Sequence, residues 1–318
     1  MVSSRSIFLV LLIGASACSS SADGAAEDAG IDPDAPADDT AASFGDTARS
    51  DGGPFTDGAD GGADGIAPTD SATSGDTKVV ADSAVADTSP PDGGSTCTYT
   101  KDAEGFFKLT SPKSDYWVRL PPGYDADPKP RTLLFGMHGC GDTAKNFATW
   151  AIVPYALRTT QSYIGVSLGG REGACWTIST DVATAQAALT HVQSCFNVNA
   201  KKIVLAGYSS GGGMAFSMGL KSAGSYAGIL IENSGLSQAV GSSNVATVLS
   251  SAAWKINVAQ SARISDGSYA IAGIRSDRDK LKAAGFPLQY QELDGGHDGT
   301  SDDWSGFLIP KIAAWSAP

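Results

Sequence analysis

Short apolar runs recur along the chain after residue 97 and predict eight β-strands. The first two runs, 105–109 and 116–120, are joined by the polar segment 111–114, as expected of an antiparallel pair at the edge of a sheet. The later runs are continuously apolar, which is typical of parallel strands covered on both faces. These runs are residues 132–137, 163–168, 202–206, 226–232, 255–262 and 288–293.

Longer segments between these runs carry apolar residues at helical spacing. Residues 181–196 and 211–223 each predict a helix between consecutive strands, and residues 268–284 predict a third helix that ends at Gly285. Alternating strands and helices indicate α/β architecture, a mainly parallel eight-stranded sheet with helices on both faces. Residues 97–318 are long enough to form one such domain with its own core, and no large lid insertion is predicted.

One predicted strand leads into a helix through the sequence Gly207-Tyr208-Ser209-Ser210-Gly211, which fits the pattern G-x-S-x-G. A plain glycine turn is the alternative interpretation, because so short a pattern also arises by chance. A strand, a tight turn and a helix in this order favour a nucleophile elbow, in which Ser209 is exposed at the carboxyl edge of the sheet. The amide of Ser210 would then lie at the helix N-terminus, where it stabilises a developing oxyanion.

A nucleophilic serine needs a general base, and the chain has three histidines. His297 follows the last predicted strand on the glycine-rich loop 294–296, the place that this strand order favours for the base. His138 comes before the serine and His191 lies inside a predicted helix, so both are interpreted as structural residues.

Three aspartates between the predicted strand 255–262 and His297 are candidates for the acid that orients the base. If residues 269–274 formed the preceding strand, Asp277 would follow it, but too few residues would remain for a crossover to strand 288–293. If strand 255–262 precedes the acid, Asp266 follows it and a helix completes the crossover. We therefore predict that Asp266 is the acid. Asp277 is the second candidate and Asp279 is the third.

The loop after strand 132–137 reads His138-Gly139-Cys140-Gly141-Asp142. Small residues let backbone amides approach a carbonyl oxygen, so this loop is predicted to supply the second oxyanion amide. Trp176 and Trp304 are predicted to line an acyl or sugar subsite beside the serine, and Trp150 and Tyr155 are weaker candidates. No metal site is expected, because no cluster of cysteines and histidines has the spacing of metal ligands. No cofactor is expected either, because acyl transfer by a serine, a histidine and an acid requires none.

Composition divides the chain into two parts. Residues 19–96 contain 17 acidic and 2 basic residues, whereas the whole chain has a net charge of −12. Segment 18–96 has few large apolar residues and is predicted to be a disordered acidic linker. The acidic character therefore belongs to the linker, and it says little about the substrate of the folded domain.

The first residues predict export. Arg5 precedes the apolar run 7–13, which is too short to span a bilayer and suits a signal peptide over residues 1–17. The sequence Ala15-Ser16-Ala17-Cys18 fits a cleavage site of A-x-A type, and it also resembles a bacterial lipoprotein signal, which predicts lipidation of Cys18. We therefore expect a cell-surface or outer-membrane lipoprotein, or otherwise a secreted protein. Contact with a membrane is expected only through this anchor, and no nucleic-acid partner is expected.

Several segments of the domain resemble extracellular feruloyl esterases and the related poly(3-hydroxybutyrate) depolymerase-like esterases of the α/β-hydrolase fold. The resemblance covers nearly all of residues 97–318. It implies a catalytic triad of Ser209, Asp266 and His297, with the amides of Cys140 and Ser210 as the oxyanion hole. The Trp-Pro pair that often follows the family's histidine is absent here, which predicts that the aromatic wall of the acyl pocket is built differently. The segments that carry the resemblance are 116–125, 132–141, 173–176, 194–212 and 281–297.

The same topology predicts two disulfides among the four cysteines of the domain. Cys140 and Cys175 lie in loops at the carboxyl edge of the sheet, whereas Cys195 ends a helix that reaches the other edge, about 20 Å away. A disulfide allows only about 4.4–6.8 Å between Cα atoms. The expected pairs are therefore Cys140 with Cys175 and Cys97 with Cys195.

The predicted function is hydrolysis of carboxylic esters through an acyl-enzyme. Feruloyl or acetyl esters of plant cell-wall polysaccharide are the favoured substrates, and polyester of the poly(3-hydroxybutyrate) type is the next candidate. A hypothesis from a different functional class is that the protein is a surface binding module, which keeps the hydrolase fold but has no catalytic activity. The serine, the histidine and an available acid argue against this third possibility.

Overall fold

A computed structural model of the protein describes residues 97–318. The predictions for the signal peptide, the lipidated Cys18 and the acidic linker 18–96 lie outside the described residues. Within the part of the chain that is described, no helix is long and apolar enough to cross a membrane.

All eight predicted strands are present and form one sheet in the order β1-β2-β4-β3-β5-β6-β7-β8. The pairs β1 with β2 and β2 with β4 are antiparallel, and the remaining pairs are parallel. The prediction of a mainly parallel sheet with an antiparallel edge is therefore confirmed. The strands are β1 Phe106–Thr110, β2 Asp115–Arg119, β3 Arg131–Met137, β4 Ile164–Leu168, β5 Val198–Tyr208, β6 Gly228–Glu232, β7 Asn257–Arg263 and β8 Leu288–Leu293.

Helices cover both faces of this sheet, as predicted. The three predicted helices are present, with ends that differ by one to three residues from the expected ones. Three shorter helices and the helical C-terminal segment were not predicted. The helices are α1 Ala144–Phe147, α2 Ile178–Cys195, α3 Ser210–Lys221, α4 Leu236–Val240, α5 Val245–Ser251 and α6 Ile271–Ala283. There are also π-helical turns over Ala148–Ile152 and Asp303–Leu308, and 3-10 turns over Tyr155–Leu157, Ala223–Ser225, Ser242–Asn244 and Ile309–Ala314.

The sheet separates two apolar clusters because side chains alternate between its faces. In β3, Leu133 and Phe135 point into the cluster under α2 and α3, whereas Leu134 points into the opposite one. The second cluster lies under the turns Ala148–Ile152 and Asp303–Leu308. Each fully buried large apolar side chain contributes about 1.5–3 kcal/mol to the free energy of unfolding, so both clusters stabilise the packing of helices on the sheet.

Both predicted disulfides are present. Cys97 is bonded to Cys195, and Cys140 is bonded to Cys175. The first joins the start of the described chain to the end of α2. The second joins the loop after β3 to the loop after β4, and both of these loops lie at the carboxyl edge of the sheet.

Candidate active site

The turn between β5 and α3 holds Ser209 in a strained conformation. Its backbone has φ 53° and ψ −122°, a conformation that residues other than glycine rarely adopt and that costs about 1–3 kcal/mol. The turn needs glycine nearby, since a Cβ atom on Gly211 would lie 2.0 Å from the carbonyl oxygen of Met137. The amide of Ser209 donates to the carbonyl oxygen of Glu232 at 3.0 Å, which ties the turn to the end of β6. The predicted elbow therefore has the geometry that presents a serine at the edge of the sheet.

His297 and Asp266 lie next to this serine. The Nε2 atom of His297 is 2.8 Å from Oγ of Ser209, and its Nδ1 atom is 2.8 Å from Oδ2 of Asp266. The other oxygen of Asp266 accepts hydrogen bonds from the amides of Ser268 and Tyr269, at 2.7 and 2.9 Å. These two bonds aim the carboxylate at the imidazole. They also explain why α6 begins at Ile271, since residues 268 and 269 form the turn around Asp266.

The two alternative acids are engaged elsewhere. Asp277 is buried on α6, where its carboxylate accepts hydrogen bonds from the amide and hydroxyl groups of Ser237. Asp279 is exposed and pairs with the neighbouring Arg278. Of the three candidates, only Asp266 is hydrogen-bonded to His297 in the described part of the chain.

Two tyrosine rings hold the imidazole of His297. The ring of Tyr208 is nearly parallel to the imidazole at a centroid distance of 5.3 Å, and that of Tyr269 is nearly parallel at 5.6 Å. The hydroxyl group of Tyr208 also donates to the carbonyl oxygen of His297 at 2.6 Å. Burial raises the pKa of Tyr208, so this hydroxyl remains a donor throughout the usual pH range.

The loop His138 to Asp142 packs directly against the elbow. A Cβ atom on Gly139 would lie 2.5 Å from the ring of Tyr208 and 3.3 Å from Cβ of Ser209. Cys140 follows this glycine, and Ser210 is the first residue of α3. The two residues that were predicted to supply oxyanion amides therefore flank Ser209 on two separate segments.

Trp176 packs against the loop 138–142 and is hydrogen-bonded to it. It is buried, its indole nitrogen donates to the carbonyl oxygen of His138 at 2.8 Å, and its ring contacts the imidazole of His138. The Cys140–Cys175 disulfide fixes the same loop from the side. His138 is fully buried and His191 pairs with the hydroxyl of Tyr116 at 2.9 Å, in agreement with structural roles for both.

Trp304 does not line a surface subsite, and the prediction for it was wrong. Its side chain is 0% exposed and lies in the core, where the indole nitrogen donates to the carboxyl group of Glu232. The chain turns back after His297 and forms the π-helical turn Asp303–Leu308, which buries Trp304 against Phe147. Tyr155, one of the weaker candidates, is exposed and pairs with Arg158.

Trp150, a weaker candidate from the sequence, is a partly exposed aromatic residue that contacts both sides of the site. Its indole nitrogen donates to Oδ2 of Asp142 at 3.0 Å, and its ring lies edge-on to Tyr208 at 5.6 Å. The far edge of the ring touches Gly299 in the loop after His297, where a Cβ atom would lie 2.5 Å from it. No local motif marks Trp150, because its role depends on contacts with Tyr208 and Gly299, which are distant in sequence.

Among the described residues, one set of side chains has the proximity of metal ligands: Cys97, His191 and Cys195. The two cysteines are bonded to each other, so their sulfur atoms are not free thiolates. At Ser209, the hydrogen bonds with His297 and from His297 to Asp266 join groups suited to proton transfer and nucleophilic attack.

Comparison with known proteins gives structural matches only. No family model matches the sequence, and no curated protein matches it significantly. A ferulic acid esterase superposes with a TM-score of 0.52 and 18% identity, over 65% of this chain and 94% of that one. A fluorophosphonate-binding serine hydrolase of Staphylococcus aureus superposes with a TM-score of 0.50 and 13% identity, over 70% of this chain and 98% of that one.

A third match is an S-formylglutathione hydrolase of Staphylococcus aureus, with a TM-score of 0.50 and 14% identity over 69% of this chain and 96% of that one. At these identities the matches establish architecture alone. Together with the strand order and the elbow after β5, they show that residues 97–318 have the α/β-hydrolase fold.

Proposed function

We propose that this protein is a serine esterase that cleaves carboxylic esters through a covalent acyl-enzyme. The observation that carries the proposal is the hydrogen-bonded series from Asp266 through His297 to Ser209, with both links at 2.8 Å, on a strained elbow. A turn that only connected two elements would have no reason to hold a serine at positive φ beside an oriented imidazole.

The reaction follows from these positions. Oγ of Ser209 attacks the ester carbonyl carbon while Nε2 of His297 takes the hydroxyl proton. Asp266 accepts a hydrogen bond from Nδ1 of His297, which fixes the productive tautomer and stabilises the imidazolium. The amides of Cys140 and Ser210 hold the oxyanion, and His297 then donates its proton to the departing alcohol. Water, activated by the same imidazole, cleaves the acyl-enzyme and restores Ser209.

The favoured substrates are feruloyl or acetyl esters of plant cell-wall polysaccharide. The motifs shared with feruloyl esterases support this choice. The partly exposed indole of Trp150 supports it as well, because it lies between the oxyanion loop, residues 138–142, and the histidine loop, residues 294–300. An indole offers a flat apolar wall to an aromatic acyl group. A polymeric substrate would also suit a protein that is exported and held at a cell surface by a lipid on Cys18. The two disulfides fit an oxidising compartment.

The test is hydrolysis of p-nitrophenyl acetate and methyl ferulate by the purified protein beside its Ser209→Ala variant. We expect the wild-type protein to cleave both esters and the variant to lose several orders of magnitude in kcat with an unchanged unfolding temperature. Cleavage of acetate alone would support a hydrolase with a different substrate. A folded wild-type protein that cleaves neither ester would favour the binding module.

A further inference from the structure

One buried glutamate, Glu232, is hydrogen-bonded both to the turn that carries Ser209 and to the loop that carries His297. Ser209 lies on the turn after β5, and His297 lies on the loop after β8, so separate parts of the chain must be held in register. Glu232 ends β6, directly opposite Tyr208 in the sheet, and is 0% exposed. Its backbone carbonyl oxygen accepts the hydrogen bond from the amide of Ser209.

The side chain of Glu232 reaches the loop that follows His297. One carboxyl oxygen accepts from the amide of Thr300 at 3.2 Å, and the other accepts from the indole nitrogen of Trp304. A single residue therefore binds the nucleophile turn through its backbone and the histidine loop through its side chain. The bonds from Glu232 are made in the interior, where each is strengthened by the absence of competing water.

We propose that Glu232 is a positioning residue for the reaction, and that it holds the histidine loop against the nucleophile turn as a neutral, protonated carboxyl group. This inference rests on the proposed esterase function, because it concerns the same site. Glu232 does not contact the reacting atoms. It acts through Ser209 and His297.

The neighbours of Glu232 explain why it keeps its proton. Its carboxyl group shares a hydrogen bond with Asp303, and Asp303 forms a buried ion pair with Arg263 at the end of β7. Ionisation of Glu232 would place a second buried negative charge beside this ion pair, with only one cation to balance both, so burial and this geometry favour the protonated form of Glu232. Tyr208 on β5, opposite Glu232 in the sheet, is a further titratable neighbour, and burial raises its pKa, so it is neutral at ordinary pH. Burial, together with Asp303, raises the pKa of Glu232 well above its ordinary value.

Other hydrogen bonds hold the chain on either side of His297, so a shift of this loop after ionisation of Glu232 would also move the imidazole. The side-chain amide of Asn233 donates to the carbonyl oxygen of Asp298 at 2.7 Å. The guanidinium group of Arg263 donates to the carbonyl oxygens of Asp294 and Asp298, at 3.2 and 3.3 Å. Ionising Glu232 would place a second negative charge beside Asp303 and compete for Arg263. The loop that carries His297 depends on that same arginine.

The decisive variant is Glu232→Gln, because glutamine keeps one acceptor oxygen and gives Asp303 a permanent N–H donor, as a protonated glutamate does. We expect Glu232→Gln to keep kcat within about threefold of wild type near neutral pH and to remain active at alkaline pH, where wild type loses activity. Glu232→Ala removes the acceptors and should lower kcat 10- to 100-fold with little change in KM. Glu104→Gln is the matched control: Glu104 is half exposed, pairs with Arg158 at the surface and lies outside the site, so kcat should be that of wild type.

A second measurement does not depend on activity. The raised pKa of folded Glu232 means that folding takes up a proton once the unfolded group ionises near 4.5. Stability from this group is therefore complete below that pH and is lost as pH rises. We expect the Tm of Glu232→Gln, relative to wild type, to increase steadily between pH 4 and pH 9, with no such trend for Glu104→Gln.

The outcomes separate this inference from the proposed function. If wild type cleaves esters but Glu232→Gln is as impaired as Glu232→Ala, or keeps the wild-type alkaline decline, the positioning role of a neutral Glu232 is overturned. If the Tm difference is independent of pH, the protonated state is overturned. If no ester is cleaved by wild type while the Tm trend is present, the proposed esterase function fails and the buried neutral carboxyl stands.

Discussion

The candidate site shows most clearly at the scale of single residues, where backbone conformation and hydrogen bonding select one serine and one acid. Ser209 has positive φ without being glycine, and His297 bridges it to Asp266. The three residues come from three loops at the carboxyl edge of the sheet. Each could be predicted from the sequence because it follows a recognisable strand.

The choice between the acids can be tested directly. We predict that Asp266→Asn lowers kcat by about 10³- to 10⁴-fold, because an amide cannot hold the imidazole in the productive tautomer. Asp277→Asn removes a buried acceptor from Ser237 and should cost about 1–3 kcal/mol in unfolding free energy with little change in kcat. Steady-state kinetics and urea unfolding of both variants provide the measurements. Equal losses of kcat would contradict the assignment of Asp266.

Residues whose role depends on distant contacts could not be predicted in the same way. Trp304 and Trp150 look alike in the sequence, as single tryptophans in predicted loops. Trp304 is buried because the chain folds back after His297, whereas Trp150 stays partly exposed between two loops. Glu232 could not be identified from the sequence, since nothing near it in the chain shows that Asp303 and Arg263 will surround it.

At the scale of elements, the oxyanion loop illustrates how packing and a covalent bond together position a backbone amide. The loop passes over the elbow at Gly139, bonds to Trp176 at His138 and is tied to the next loop through Cys140. The sequence predicted the disulfide from the sheet edge at which each cysteine would lie. It could not predict the short helices α4 and α5, whose few turns are stabilised by packing and carry too few residues for a periodic pattern.

The Cys140–Cys175 disulfide should matter for rate more than the other one does. We predict that replacing both cysteines by serine lowers kcat about 10- to 100-fold, because a loop shifted by about 1 Å misplaces the Cys140 amide. The matched control replaces Cys97 and Cys195 by serine, far from the elbow. It should cost about 2–5 kcal/mol in stability while kcat is retained in the folded fraction. A reversed pattern would show that the oxyanion loop does not need its disulfide.

At the scale of the whole molecule, the strand order brings loops that are far apart in sequence to one edge of the sheet. Strands β3, β5, β6, β7 and β8 run parallel, so the oxyanion loop, the elbow, Glu232, Asp266 and His297 all lie at or just after the carboxyl end of a strand. This arrangement could be predicted, since alternating strands and helices leave few topologies open. The substrate could not be predicted, because specificity depends on how the loops surround a bound molecule rather than on the order of the strands.

The most direct test of the central claim is the site of covalent attack. A fluorophosphonate presents a phosphorus atom to the nucleophile, and the serine oxygen displaces fluoride to leave a stable adduct. After the intact protein reacts with it, we predict one adduct, located by peptide mass spectrometry on Ser209, and a labelling rate that falls at least a hundredfold in His297→Ala. An adduct on another residue, or none on a folded protein, would contradict the assignment of Ser209 as the nucleophile.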